Sequence, residues 1–121
     1  GEAGFRKRET MELDICSRRP ATVLATGGGA VLAEANQNML SQRGTVVYLR
    51  ANVNELYRRL ERDKTRPLLQ TANPQQRIEE LLRQREPIYE ALADVIFETG
   101  SAPVHTVIKQ LLSVLKEQEV I

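Results

Sequence analysis

Apolar and polar positions alternate in blocks along the chain, and each block reads as one element. Residues Phe5 to Arg18 carry Phe5, Met11, Leu13, Ile15 and Cys16 as the apolar members of a helix, which Arg19-Pro20 ends. Thr22-Val23-Leu24-Ala25 is a short apolar run of the kind that fills a buried parallel strand. After three glycines, Val31 to Gln42 reads as a helix with Arg43-Gly44 as its stop. Thr45-Val46-Val47-Tyr48-Leu49 is the clearest strand pattern in the chain. Asn52 or Asn54 can cap the next helix, which sets Val53, Leu56, Tyr57 and Leu60 on one face.

The rhythm breaks between Asp63 and Asn73. This stretch is charged, contains Pro67 and has no helical period, so it reads as a loop of the length used for lids. Asn73 then caps a helix with Pro74 at its first position. That helix runs through Ile78, Leu81 and Leu82 towards Tyr89 and Leu92, with Pro87 as the place for a kink. Asp94 to Glu98 is a third strand, and Val104 to Gln118 is a last helix with Val107, Ile108, Leu111, Leu112 and Leu115 as its apolar stripe. The order α-β-α-β-α-lid-α-β-α favours a parallel sheet in a layered α/β fold. We read residues 1–121 as a single domain, with 63–73 as a lid within it.

Composition narrows the function classes without choosing one. A hydrophobic share of 41% and a charged share of 27% are ordinary for a globular chain, and a net charge of +1 gives no case for nucleic acid or a membrane surface as partner. No apolar run is long enough to span a bilayer, and the polar start has no secretory signal pattern. The single cysteine, Cys16, excludes an internal disulfide, fits a reducing, cytoplasmic setting and is expected to serve helix packing. Arginine outnumbers lysine 13 to 4, a hint of planar carboxylate or phosphate groups held by fork-shaped donors. A start at Gly1, and three strands where open sheets average about five, lead us to expect a piece of a longer protein.

The chemistry begins at Thr26-Gly27-Gly28-Gly29-Ala30. Glycine is costly to order, so three in a row suit a backbone that a ligand or another segment must approach closely; a tight turn without a ligand is the plainer alternative. The run is not a Walker A loop, since no Gly-Lys-Ser/Thr follows, and it lacks the last glycine of GxGxxG. Arg6 and Glu9 are spaced to pair on a helix beside Phe5. Arg59 to Leu69 is an arginine-rich loop that can close over a phosphate. Arg85 sits one turn before Tyr89 around Pro87, and Thr99 to Pro103 forms a turn after the last strand, where open α/β sheets bind ligands. His105 reads as an exposed residue of the last helix, and Asp63 and Asp94 as structural residues at a lid hinge and a strand start.

Taken in order, GExxFRxxE, the strand followed by TGGG, RDKxRPLL, RxPxYE and ADV closely resemble shikimate kinase, over nearly the whole chain. The resemblance implies a P-loop NTPase fold of the nucleoside-monophosphate-kinase kind, three layers around a parallel sheet. It implies transfer of the ATP γ-phosphoryl group to the 3-hydroxyl of shikimate, with Mg²⁺. On this likeness Arg6 and Arg85 grip the shikimate carboxylate, while Gly28 and Gly29 meet the ring hydroxyls and Gly27 shapes their turn. Phe5 walls the pocket, and Glu9 holds Arg6 or a hydroxyl. Arg66 is the catalytic lid arginine that reaches the transferred phosphate and ATP. Arg59 stacks on adenine, and Pro103 lies in the adenine loop opposite.

Shikimate kinases also carry a first strand with GxxxxGKS/T and an aspartate-bearing second strand, and neither motif occurs in this sequence. The phosphate cradle and the metal ligands are therefore expected outside these residues, and the chain alone is expected to turn nothing over. A gap is expected between the strands at Val23 and Val46, with self-association as one way to fill it, whereas the whole enzyme is expected to be a monomer. Two alternatives stand beside this reading: a non-catalytic binding or structural remnant, and another small-metabolite P-loop kinase such as a gluconate-type enzyme. The pairing of Phe5-Arg6 with the triple glycine argues against the latter.

Overall fold

The computed structural model describes residues 1–61 and 73–121. Helix α1 covers Glu2–Cys16 and helix α2 covers Glu34–Arg43. Between them a short 3-10 turn spans Gly28–Leu32. Strand β1 is Val47–Arg50, α3 is Val53–Glu61, α4 is Pro74–Leu92, β2 is Val95–Glu98 and α5 is Val104–Glu117. Strands β1 and β2 pair in parallel, Val47 opposite Val95 through Arg50 opposite Glu98, with α3 and α4 forming the crossover between them. This is the α/β parallel arrangement expected from the alternating pattern.

Caps fix where the helices start. Asn52 Oδ1 accepts the Glu55 amide at 2.8 Å, and Asn73 Oδ1 accepts the Gln76 amide at 3.1 Å with Pro74 following at the first helical position. Each such cap is worth about 1 kcal/mol. Asp94 is structural, as its place before β2 suggested: its Oδ2 accepts the Val46 amide at 2.8 Å, joining the entrances of the two strands. The core gathers Leu13, Ala30, Val31, Ala51, Ile78 and Val95, each under a tenth exposed. It thus sits where α1, the glycine turn, α4 and the sheet meet.

Two expectations are corrected. Residues 22–25 form no strand, so the described residues contain two strands and not three. A strand needs a ladder partner, and β1 and β2 pair only with each other; Val23 is left 99% exposed. An apolar groove of about 830 Å³ is lined by Val23 and Leu24 of this segment together with Val47 and Leu49 of β1. The second correction is local. The helix expected from Val31 is a 3-10 turn followed by a true helix from Glu34, because Ala33 takes an extended conformation between them. The 63–73 lid, apart from Asn73, lies outside the described residues, as do Asp63 and Arg66.

Candidate functional site

The glycine turn sits against two helices that each present a guanidinium to it. A Cβ built on Gly29 would stand 2.5 Å from Arg6 Nη2 and 2.8 Å from Arg6 Nη1. A Cβ on Gly28 would stand 2.9 Å from Tyr89 Oη and 3.3 Å from Arg85 Nη1. A Cβ at either position would displace side-chain ends of α1 or α4, so glycine lets these groups approach the backbone. The two arginines thus converge on adjacent residues, whose Cα atoms are about 3.8 Å apart. Gly27 makes a looser approach, 3.8 Å from Glu9 Oε2 to its would-be Cβ.

The two guanidiniums differ in their partners. Arg6 Nη1 bonds Glu9 Oε1 at 2.8 Å, its Nε lies 3.7 Å from Glu2, and its guanidinium carbon sits 5.2 Å from the centre of the Phe5 ring. Glu9 is the more buried partner, with a side chain 17% exposed, so it orients Arg6 from below. Phe5 is half exposed and forms an apolar wall beside the pair. No ion pair among the described residues engages Arg85. One guanidinium oriented by Glu9, and one with no carboxylate partner among the described residues, thus flank a closely approached backbone, an arrangement whose chemistry suits an anion.

Side chains clamp the turn in place. Asn36 Nδ2 donates to the Ala30 carbonyl at 2.8 Å, and Gln37 Nε2 donates to the Val31 carbonyl at 2.7 Å. Tyr89 Oη donates to the Gly28 carbonyl at 2.8 Å. Sequence reading missed all three. Asn36 is 1% exposed on a helix of polar composition, where nothing marks it as inward-facing. Tyr89 carried a signal, four residues after Arg85 and so on the same helical face. Behind it the Tyr48 ring packs at 5.1 Å, and Tyr48 Oη donates to Glu86 Oε2 at 2.8 Å. Burial pushes the Tyr48 phenol well above its ordinary value, and the bond to Glu86 adds to this, so it remains a neutral donor.

A second cluster lies at the carboxyl end of β2. Arg59 Nη2 donates to Thr99 Oγ1 at 3.1 Å and to the Gly100 carbonyl at 2.8 Å, tying α3 to the loop that carries Pro103. Gly100 takes a positive φ of 59°, which closes that loop tightly. Pro103 is the N-cap residue of α5. Arg59 and Pro103 are thus brought to one loop, apart from the arginines at the glycine turn. Among the described residues there is no group of three His, Cys, Asp or Glu side chains placed to hold a metal ion. His105, in the first turn of α5, is exposed. No helix among the described residues is long and apolar enough to cross a membrane.

The described residues form an α/β fold with a parallel two-stranded sheet, and their structural neighbours place it in the P-loop NTPase class of folds. The family model described as shikimate kinase matches residues 1–116. The shikimate kinase of Bordetella avium is 53% identical over 119 residues, which cover 98% of this chain and 57% of that protein. The shikimate kinase of Ralstonia nicotianae is 49% identical over 96% of this chain and 61% of that protein. Among solved structures, shikimate kinase from Acinetobacter baumannii in complex with shikimate superposes with a TM-score of 0.90 at 41% identity, covering 100% of this chain and 68% of that one. Shikimate kinase from Bacteroides thetaiotaomicron superposes with a TM-score of 0.85 at 29% identity. The chain belongs to the shikimate kinase family, and it spans 57% of the length of the first of these relatives.

Proposed function

We propose that this chain carries the acceptor-binding half of a shikimate kinase, with the shikimate carboxylate held between Arg6 and Arg85. The observation that carries this reading is the convergence of both guanidiniums on the Gly28-Gly29 backbone. A guanidinium fork matches a carboxylate in plane and in spacing, and two of them fix the ring's orientation. The backbone of the exposed Gly28 and the buried Gly29 then faces the ring hydroxyls, with Phe5 as the apolar wall. The relative from Acinetobacter baumannii, solved with shikimate and sharing this backbone, supports the assignment.

The nucleotide side of the reaction falls to the second cluster. Arg59 and the loop from Thr99 to Pro103 border the adenine, and Arg66 reaches the phosphoryl group in flight. In the transfer, the bond from the γ-phosphorus of ATP to its bridging oxygen breaks. A new bond forms to the 3-hydroxyl oxygen of shikimate, whose proton is released, and ADP leaves. These residues act by positioning and by stabilising charge on the transferred group. Mg²⁺ neutralises phosphate charge in that class of reaction; no residue described here is assigned to it. The sequence has no GxxxxGKS/T cradle, so the 121 residues by themselves are proposed to bind the acceptor without turning it over.

Ligand-observed NMR on the 121-residue chain, with shikimate and gluconate as rival acceptors, tests the reading. Saturable binding of shikimate and none of gluconate is expected. Binding of gluconate in preference would assign the site to a different small-metabolite kinase.

A further inference from the structure

The face of α4 that carries Arg85 carries Tyr89 one turn on, and both meet the same glycine. Tyr89 Oη donates to the Gly28 carbonyl at 2.8 Å. The peptide group is planar and the described residues contain no cis bond, so fixing the Gly28 carbonyl also fixes the Gly29 N–H on the opposite side of the same plane. Tyr89 is itself braced. Its ring packs against Tyr48 of β1 at 5.1 Å, and Tyr48 Oη donates to Glu86, the neighbour of Arg85. At the other end of the turn, Asn36 and Gln37 bind the Ala30 and Val31 carbonyls to α2. Among the described residues, the Tyr89 hydroxyl is the side-chain hydrogen bond that ties the turn to the helix bearing Arg85.

We propose that Tyr89 is a positioning residue that sets the spacing between the carboxylate-gripping Arg85 and the hydroxyl-reading backbone at Gly28-Gly29. Selectivity for a polyhydroxylated ring acid over a plain cyclic carboxylate depends on that spacing. A carboxylate alone needs only the guanidiniums; a ring acid read through its hydroxyls needs both ends held at one separation. The inference rests on the shikimate reading above.

The test compares shikimate with 1-cyclohexene-1-carboxylate, titrated by NMR against the wild-type chain and Tyr89→Phe. Phenylalanine keeps the ring and its packing on Tyr48 and removes one hydroxyl. Loss of one such hydrogen bond is expected to weaken shikimate about fivefold to tenfold. Binding of the plain carboxylate should change less than about twofold, so the preference shrinks by nearly the same factor. Exchange of the Gly29 amide should quicken. Tyr89→4-aminophenylalanine, which restores a donor on the same ring, should recover the preference. Tyr48→Phe, which leaves the Tyr89 donor in place, should retain it. An unchanged preference in Tyr89→Phe, or equal weakening of both ligands, overturns the positioning role while leaving the shikimate reading intact. A wild-type chain that does not prefer shikimate overturns both.

Discussion

The guanidinium of Arg6 occupies the place a Cβ on Gly29 would take, 2.5 Å from Nη2. Glycine at 29 is therefore a condition for the site's geometry and not only for a turn. Gly29→Ala pushes against the end of a flexible side chain, so Arg6 can swing away and the fold survives. The expected outcome is a stability loss of about 1 kcal/mol or less by denaturant titration. Shikimate affinity should fall at least about tenfold, as expected for losing a charge-assisted hydrogen bond. A fall in stability with unchanged affinity would mean that Arg6 does not touch the ligand.

Arg59 predicts the converse separation. Its bonds to Thr99 and Gly100 hold the loop after β2, remote in sequence from the glycine turn. Arg59→Ala should weaken binding of a fluorescent adenine nucleotide by about tenfold, the scale of one or two charge-assisted bonds. Shikimate affinity should stay within about twofold. Equal losses for both ligands would place Arg59 in a shared scaffold role.

The Tyr48 phenol gives a pH signature. Burial and the bond to Glu86 raise its folded value above the unfolded one, which lies near about 10. Above that pH the unfolded chain binds fewer protons than the folded chain, so stability falls as pH rises. Below it the contribution is complete. Melting temperatures of wild type and Tyr48→Phe, followed from pH 8 upwards, should differ by a constant amount to about pH 10 and converge beyond it. A difference that stays flat through the alkaline range would show that the Tyr48 hydroxyl is not held as a donor to Glu86.

The groove beside β1 predicts association. Val23, Leu24, Val47 and Leu49 all line it, and among the described residues β1 pairs on one side only, with β2. Such an edge templates pairing with another chain. Sedimentation velocity of the 121-residue chain should show mass increasing with concentration. Leu49→Lys should reduce the increase by placing a charge at that edge. A monomer at all concentrations would show the groove to be closed in solution.

Much of the fold was legible because its signals are local. Asn52, Asn73 and Pro74 announce helix starts through bonds to amides three residues away, and the structure repeats them. The strand at residues 22–25 was misread because strand formation is a property of pairs. Its apolar composition has no ladder partner to meet, and only a structure shows that. At the site, Arg6, Gly28, Gly29 and Arg85 were legible as residue types, but their convergence depends on how α1 and α4 pack on the turn. Asn36 was illegible: a buried asparagine on a polar helix looks like any surface asparagine until its carbonyl partner is known.

Isothermal titration of shikimate into the wild-type chain and into the Arg6→Ala, Arg85→Ala double variant settles whether the two arginines form the acceptor site. Saturable one-to-one binding is expected in the wild type. In the double variant it should be lost by at least about a hundredfold, the scale of two charge-assisted contacts. Equal binding by both chains would refute a carboxylate held between Arg6 and Arg85, whatever the family resemblance.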